Sequence, residues 1–431
     1  MKFLVTGGCG YKGHVLIPKL LARGYEVIAF DIQWFGNYLL PNKNLLVIKG
    51  DVRNIDTVPL AGVDCVIHLS SIANDPCGDL NPQLTWEVSA LATMQLAEKA
   101  RRRGVKRFIY ASSGSVYGIK EDLQVTEELE LKPISEYNKT KMVGERVLLS
   151  YKDDMVVQIV RPATVCGYSP RMRLDVSVNL LTMQALSKGK ITVFGGGQVR
   201  PNIHIDDITD LYLHLIDHPE ITGIYNAGFE NISIMDIAKL VTQHIPCDIE
   251  VTPSQDLRSY RINSDKLLAT GFRPKKTVVD AIREVIEKYR TGELQDEDRY
   301  YNLRWMEQTA LAKKGSIHAN SSNRTRSLYR LLAATAGGAC ERRLVWCPSA
   351  CPGAAGKLAT GSQSVSLWQR RQCRQRHPSC QRFSLWYCQK NRRRYQGNRL
   401  VGQYRGPNLL GQRYWLRLYF FRTIGCTSTK R

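Results

Sequence analysis

Two groups of residues in this 431-residue chain have types and spacing that could do chemistry. The first is TGGCGYKG, Thr6 to Gly13, directly after the apolar run KFLV. Its glycines Gly7, Gly10 and Gly13 follow a GxxGxxG spacing. A strand, a glycine turn and a helix start make an anion site, because backbone N–H groups point outward and the helix dipole favours phosphate. Asp31 ends the next apolar run, near the ~20 residues expected before a carboxylate that binds the adenosine ribose of a dinucleotide. A carboxylate there repels a 2′-phosphate, which favours NAD over NADP. The second group is Tyr137 and Lys141 in YNKTK, with Ser113 upstream in YASSGSVYG. Four apart on a predicted helix, the tyrosine and lysine project from one face. A tyrosine hydroxyl with a pKa of about 10 is a poor base at neutral pH, and a nearby ammonium is expected to lower it. Ser113 would orient a substrate hydroxyl toward Tyr137. Tyr137 would take the proton while hydride leaves the same carbon for a nicotinamide. YxxxK alone also describes many exposed helix faces. Its order after the glycine loop and the hydroxylated strand end is the informative feature.

These groups need elements to hold them. KFLVT, YEVIAFD, LLVIKGD, VDCVIHLSS, VKRFIYASS and MVVQIVRP read as buried strands. Helical patterns lie between them, including VLIPKLLARG, the long NPQLTWEVSALATMQLAEKARRRG and SEYNKTKMVGERVLLSY. Near-continuous apolar strands alternating with helices imply a parallel sheet covered on both faces. From about Met172 to Tyr289, helices alternate with short strands such as KITVFG and GIYNAG, expected to form a smaller lobe over the C-terminal edge of the sheet, where such sheets bind ligands.

Composition divides the chain again. The formal net charge is +22, but residues 313–431 hold 24 Lys and Arg against one acid, Glu341, so residues 1–312 hold 37 bases and 38 acids. Seven of the twelve cysteines lie in the same tail, and the other five have no framework spacing, which suits a reducing cytoplasm. No apolar run approaches the ~18 residues that span a bilayer, and the apolar start of the chain is too short for a signal peptide. The tail has three readings. One is a basic arm for nucleic acid, with Arg on phosphates and aromatics on bases. Another is a zinc module on Cys347, Cys351, Cys373, His377 and Cys380, although no pair of CxxC knuckles is present and no metal is expected. The favoured one is an out-of-frame extension, given the near absence of acids and of any sustained period.

TGGCGYKG, Asp31, GDV, HLSS, YASSGSVYG, YNKTK and RPATVCG together resemble the extended short-chain dehydrogenase/reductase family, and within it the NAD-dependent sugar-nucleotide epimerase/dehydratase group. The resemblance runs from Met1 to about Tyr289. It implies an α/β fold: a Rossmann-type doubly wound parallel sheet with a smaller α/β substrate-binding lobe, here followed by an irregular C-terminal tail. The divisions expected are 1–170 for NAD binding and catalysis, 171–290 for the substrate lobe, 291–312 as linker and 313–431 as tail. It implies that Gly7, Gly10, Tyr11, Lys12 and Gly13 line the pyrophosphate and Asp31 the adenosine ribose. Asp51 and Val52 would border adenine, Leu69, Ser70 and Ser71 the cofactor ribose, and Pro162 with Thr164 the nicotinamide. Ser113, Tyr137 and Lys141 match the catalytic trio. VRPNIHIDDI matches the family's Arg-x-x-x-His-x-Asp segment, so Arg200 would contact a substrate diphosphate, with Asn179 and Arg258 as weaker candidates. The chain departs from the pattern at Ser70, Ser71, Ser89, Asn202 and Lys12, the last of which replaces an apolar residue in the glycine loop.

The related 4,6-dehydratases carry an Asp-Glu pair after the catalytic hydroxyl, where this chain has Gly114 and Ser115. Net reductases of the group commonly use NADPH, against which Asp31 argues. The expectation is therefore a cytoplasmic, NAD-dependent nucleotide-sugar epimerase, UDP-glucose 4-epimerase-like, working by transient hydride transfer and compatible with a homodimer. The alternatives are a dehydrogenase, reductase or dehydratase on the same substrate class, and a non-catalytic NAD-binding scaffold with an RNA-binding tail.

Overall fold

The computed structural model describes residues 1–120, 124–253 and 259–309. Arg258 and the readings of residues 313–431 lie outside them. Six strands come first: β1 (Lys2–Thr6), β2 (Glu26–Asp31), β3 (Leu45–Lys49), β4 (Cys65–His68), β5 (Arg107–Ala111) and β6 (Val156–Pro162). Short strands β7 (Thr164–Cys166), β8 (Lys190–Phe194) and β9 (Val199–His204) precede β10 (Gly223–Ala227), and β11 (Glu230–Ser233) and β12 (Asp248–Thr252) follow it. The main sheet is wholly parallel in the order β3-β2-β1-β4-β5-β6-β10. Alternation along each strand feeds two cores. Phe3, Val5, Ile67 and Ile109 enter one face, while Leu4, Val66 and Phe108 enter the other. Strand order reverses between β1 and β4, which opens a crevice at the strands' C-terminal ends.

The covering helices are α1 (Gly13–Ala22), α2 (Asp75–Leu80), α3 (Pro82–Trp86), α4 (Ala92–Arg102) and α5 (Glu136–Leu149). The expected long helix over residues 81–104 is interrupted by a π-helical turn at Glu87–Leu91. Ser89, inside that turn, accepts from the Ile72 N–H at 3.1 Å and bonds Ser71 Oγ at 3.1 Å. The widened turn thus ties the helix to the loop after β4. Such turns recur beside ligand sites.

Later in the chain come α6 (Ser177–Lys188), α7 (Ile205–Asp217), α8 (Ile234–Thr242), α9 (Asp265–Leu268) and α10 (Val278–Arg290), before a terminal α11 (Asn302–Gln308). Helices α6, α8 and α10 share a core with β8 through Val178, Leu181, Ile191, Val193, Ile237 and Ile282. Thr277 and Asp280 start α10 with a reciprocal capping box.

Three features depart from the expected divisions. GIYNAG, placed in the small lobe by sequence, is β10 and extends the main sheet beside β6. Helix α7 packs on α1 through Leu16, Ile17, Leu20, Ile208, Leu211 and Leu215, with Lys19 paired to Asp206 and Asp210. The large face must be buried along its whole width, and residues 205–227 return to do it. The linker expected at 291–312 is also part of the body as far as residue 309, because Leu294, Tyr300, Tyr301 and Met306 are buried in the two main cores. Among the described residues, no helix is long and apolar enough to cross a membrane.

Candidate active site

The crevice holds a cavity of about 580 Å³. Its lining brings together Gly7, Gly10, Tyr11, Lys12, Gly13, Asp31, Asp51, Val52, Leu69, Ser70, Ser71, Ser113, Tyr137, Lys141, Pro162, Thr164 and Arg200, every one a residue expected from the sequence. Asn179 is not among them. It is fully buried behind the wall, where its amide accepts from the Gly167 N–H at 3.0 Å and donates to the Tyr11 hydroxyl at 3.1 Å and the Arg173 carbonyl at 2.9 Å. A helix position that reads as polar in sequence is here the tie that holds a loop.

At the glycine loop, Gly7 has φ +72°, and an added Cβ would lie 2.6 Å from the Ser70 nitrogen. A Cβ on Gly13 would lie 2.2 Å from the Gly8 oxygen. These two glycines let the loop fold onto β4 and onto itself. Gly10 has only the Gly7 oxygen at 3.1 Å, so its open side is the cavity. Helix α1 starts with no side-chain cap and no acid in its first turn, which leaves its positive end available to an anion. Asp31 accepts from the Gln33 N–H at 2.6 Å and the Cys9 N–H at 3.1 Å. Burial raises its carboxyl, and those two N–H groups oppose the rise. Asp51, by contrast, is committed to Arg53, whose Nε and Nη2 it accepts at 2.9 and 2.6 Å. An uncapped helix start, a glycine cradle and a half-buried carboxylate one strand over are a donor and acceptor set that fits an NAD dinucleotide.

Strand β5 carries Ser113 just past its end, and α5 carries Tyr137 and Lys141. Ser113 Oγ bonds Ser115 Oγ at 2.7 Å, and Ser115 Oγ donates to Asn138 Oδ1. Lys141 Nζ donates to the Ala111 carbonyl at 2.7 Å and lies 5.8 Å from the centre of the Tyr137 ring. The sequence leads one to expect a lowered tyrosine, but burial acts on it first. Burial raises the Tyr137 hydroxyl, and the opposing influences are the Ser113 hydrogen bond and the Arg173 charge. Lys141 is itself pushed well below its ordinary value by burial and then by Lys12, with Glu145 opposing. Lys12 in turn is lowered to about 8 by burial and Arg173.

Sequence reasoning missed Arg171 and Arg173, which both line the cavity. Arg173 pairs with Asp175 at 3.0 Å. The available signal was PRMRLD, two basic residues flanking a methionine just after RPATVCG. The Arg-x-x-x-His-x-Asp segment holds the lobe together beside the cavity. The Asp206 N–H donates to His204 Nδ1 at 3.1 Å, so the ring proton sits on Nε2, which donates to Glu284 Oε2 at 3.1 Å. Lys276 Nζ bridges Asp206 and Glu284 at 2.7 and 2.5 Å. An ammonium already occupies the middle of this acidic cluster.

Comparison with known proteins points the same way. A model of the NAD dependent epimerase/dehydratase family matches residues 3–228. A Bacillus subtilis (strain 168) protein described as the uncharacterized UDP-glucose epimerase YtcB is 31% identical over 260 residues, covering 56% of this chain and 81% of that protein. UDP-glucuronic acid decarboxylase 1 of Arabidopsis thaliana is 26% identical over 317 residues, covering 69% of this chain and 72% of that one. The crystal structure of Thermus thermophilus UDP-glucose 4-epimerase in complex with NAD aligns with a TM-score of 0.61 at 26% identity, covering 67% of this chain and 99% of that one.

Proposed function

The chain belongs to the NAD-dependent epimerase/dehydratase family of enzymes, and from that premise we propose that it is a nucleotide-sugar epimerase acting at C4 by reversible hydride transfer. The observation that carries this reading is the surroundings of Ser113. The two positions after it are Gly114 and Ser115, and Ser115 is bonded to Ser113 and Asn138. No carboxylate follows the catalytic serine to remove water from the sugar. Asp75, which acts on Tyr137 electrostatically, has its Oδ1 engaged by the Ser135 hydroxyl at 2.6 Å.

Bound NAD would supply the hydride acceptor in the first half-reaction and return the hydride in the second. The protein's part is to move a proton and to hold the sugar. Ser113 orients the C4 hydroxyl. Tyr137 Oη accepts its proton as the C–H bond electrons leave, and gives the proton back to the oxygen after the keto-sugar has presented its other face. Tyr137 must be the phenolate to accept that proton; burial raises its hydroxyl and works against this form, while the Ser113 hydrogen bond and the Arg173 charge favour it. Lys12, Gly10 and the start of α1 hold the cofactor phosphates, Asp31 the adenosine ribose, and Arg200 the substrate diphosphate.

The test is incubation of the purified chain with UDP-glucose or UDP-galactose, with the product followed by NMR and NADH followed by absorbance. Interconversion of the two sugars without lasting NADH supports the reading. Net NADH growth identifies a dehydrogenase instead, and loss of water identifies a dehydratase; the same assay with UDP-glucuronic acid, read for loss of carbon dioxide, identifies a decarboxylase.

A further inference from the structure

Residues 298–308 bind both loops that border one side of the cavity. The Leu174 N–H donates to the Tyr300 carbonyl at 2.9 Å, and Trp305 Nε1 donates to the Trp34 carbonyl at 2.7 Å. Arg171 Nη2 donates to Asn302 Oδ1 at 2.6 Å. Asn302 and Leu303 are themselves part of the lining. A segment beyond the last long helix thus reaches the dinucleotide crevice and joins the loop after β2 to the loop after β7.

The centre of this arrangement is Arg171. Its side chain lines the cavity and is only 3% exposed. The guanidinium lies 4.0 Å from the centre of the Phe35 ring. Nη1 donates to the Met172 carbonyl at 3.0 Å and Nη2 to Asn302, while Nε has no hydrogen-bond partner. Among the described residues no carboxylate comes within ion-pair distance of it; Asp31 and Asp175 act on it only from further away. A buried guanidinium with one orphan N–H and no touching anion is costly unless a ligand completes it. The cavity it faces also holds the glycine loop and the start of α1, which favour phosphate.

We propose that residues 298–308 are a clasp on the cofactor site, in which Asn302 and Phe35 position the Arg171 guanidinium to bind a phosphate of the dinucleotide. This rests on the reading of the cavity as a dinucleotide site and not on which sugar reaction follows. Arg171 is then a binding residue, and Asn302 a positioning residue that acts through it. The clasp also explains why a charged stretch, EDRYYNLRWME, is packed rather than free.

The test compares full-length wild type, Arg171→Met, Asn302→Ala and the double variant, with calorimetry of NAD, ADP and adenosine and the melting temperature of each protein. A charge-assisted hydrogen bond makes Arg171→Met bind NAD and ADP about 10- to 100-fold more weakly, with adenosine unchanged. Asn302→Ala gives a smaller loss, and the double variant matches Arg171→Met, because a positioning residue acts on the phosphate through the arginine it holds. If Arg171→Met fails to fold, Arg171→Lys, which keeps the charge and loses the Nε–H, takes its place and is expected to weaken ADP. Equal loss of ADP and adenosine, unchanged ADP affinity in a folded Arg171 variant, or full additivity in the double variant would overturn the inference. A wild-type chain that binds no NAD would instead overturn the dinucleotide reading on which it rests.

Discussion

The three glycines of the loop do different work, and single alanine substitutions separate them. Gly13→Ala places a methyl 2.2 Å from the Gly8 oxygen and 2.6 Å from the Gly8 carbonyl carbon. These are backbone atoms, which cannot swing aside as a side chain can. Gly7→Ala adds a left-handed φ of +72° to a 2.6 Å approach on the Ser70 nitrogen. Strain of that kind costs about 1–3 kcal/mol, and overpacking typically about 1–3 kcal/mol more. Either variant is therefore expected to lose about 3 kcal/mol, a fall of roughly 5–10 °C in melting temperature for a body of this size. Gly10→Ala meets only the Gly7 oxygen, at 3.1 Å. It should keep most of its thermal stability and lose NAD affinity by about tenfold or more, which is about 1.4 kcal/mol, because the methyl stands where the cofactor approaches the main chain. Thermal melts without NAD, paired with calorimetry of NAD binding, read the two effects apart. Wild-type NAD affinity in Gly10→Ala, or a Gly13→Ala protein that melts with wild type, would refute the division.

Ser113→Ala should lower kcat about 10²-fold. It should also move the acidic limb of the pH profile to higher pH, since the lost hydrogen bond is the one that lowers Tyr137; a limb that stays in place would show that Ser113 acts otherwise. Glu145→Gln leaves Arg161 buried without its bidentate partner at 2.7 and 2.9 Å, so urea unfolding should show a loss of about 3–5 kcal/mol. Acid should destabilise the protein well before the carboxylates titrate. His14 is held neutral down to about 4 and His68 to about 3, both by burial, while in the unfolded chain both charge near 6.5. Between those values the unfolded state binds more protons, so stability falls as pH falls through the window. His68→Asn should flatten that slope in denaturation measured across pH.

The strands β1 to β6 and the glycine loop were legible because their signals are local: short apolar runs, punctuated by Gly and Asp, in βαβ order. The placement of β10 was not. GIYNAG has the composition of a strand, but which sheet it joins depends on a partner, β6, some sixty residues earlier. That Ser113, Tyr137 and Lys141 share one cavity was legible from type and spacing, whereas their electrostatics were not. Whether Lys141 supports Tyr137 depends on burial, and burial disfavours the charge on both. Asn179 shows the converse error: a polar residue on a helix reads as a surface contact until the structure shows it fully enclosed. Asn302 and Trp305 were hidden by their charged neighbours, since the apolar residues among them have no regular period to mark a packed face.

The central claim is that Tyr137 moves the proton of a nucleotide sugar while the cofactor returns to its starting state. The most direct measurement is the exchange of UDP-glucose with UDP-galactose by wild type and Tyr137→Phe, with NAD retention measured on the same samples. The account predicts interconversion by wild type without lasting NADH, and a Tyr137→Phe protein that holds NAD with unchanged affinity and turns over neither sugar. Near-wild-type exchange by Tyr137→Phe, or stoichiometric accumulation of NADH by wild type, would contradict it.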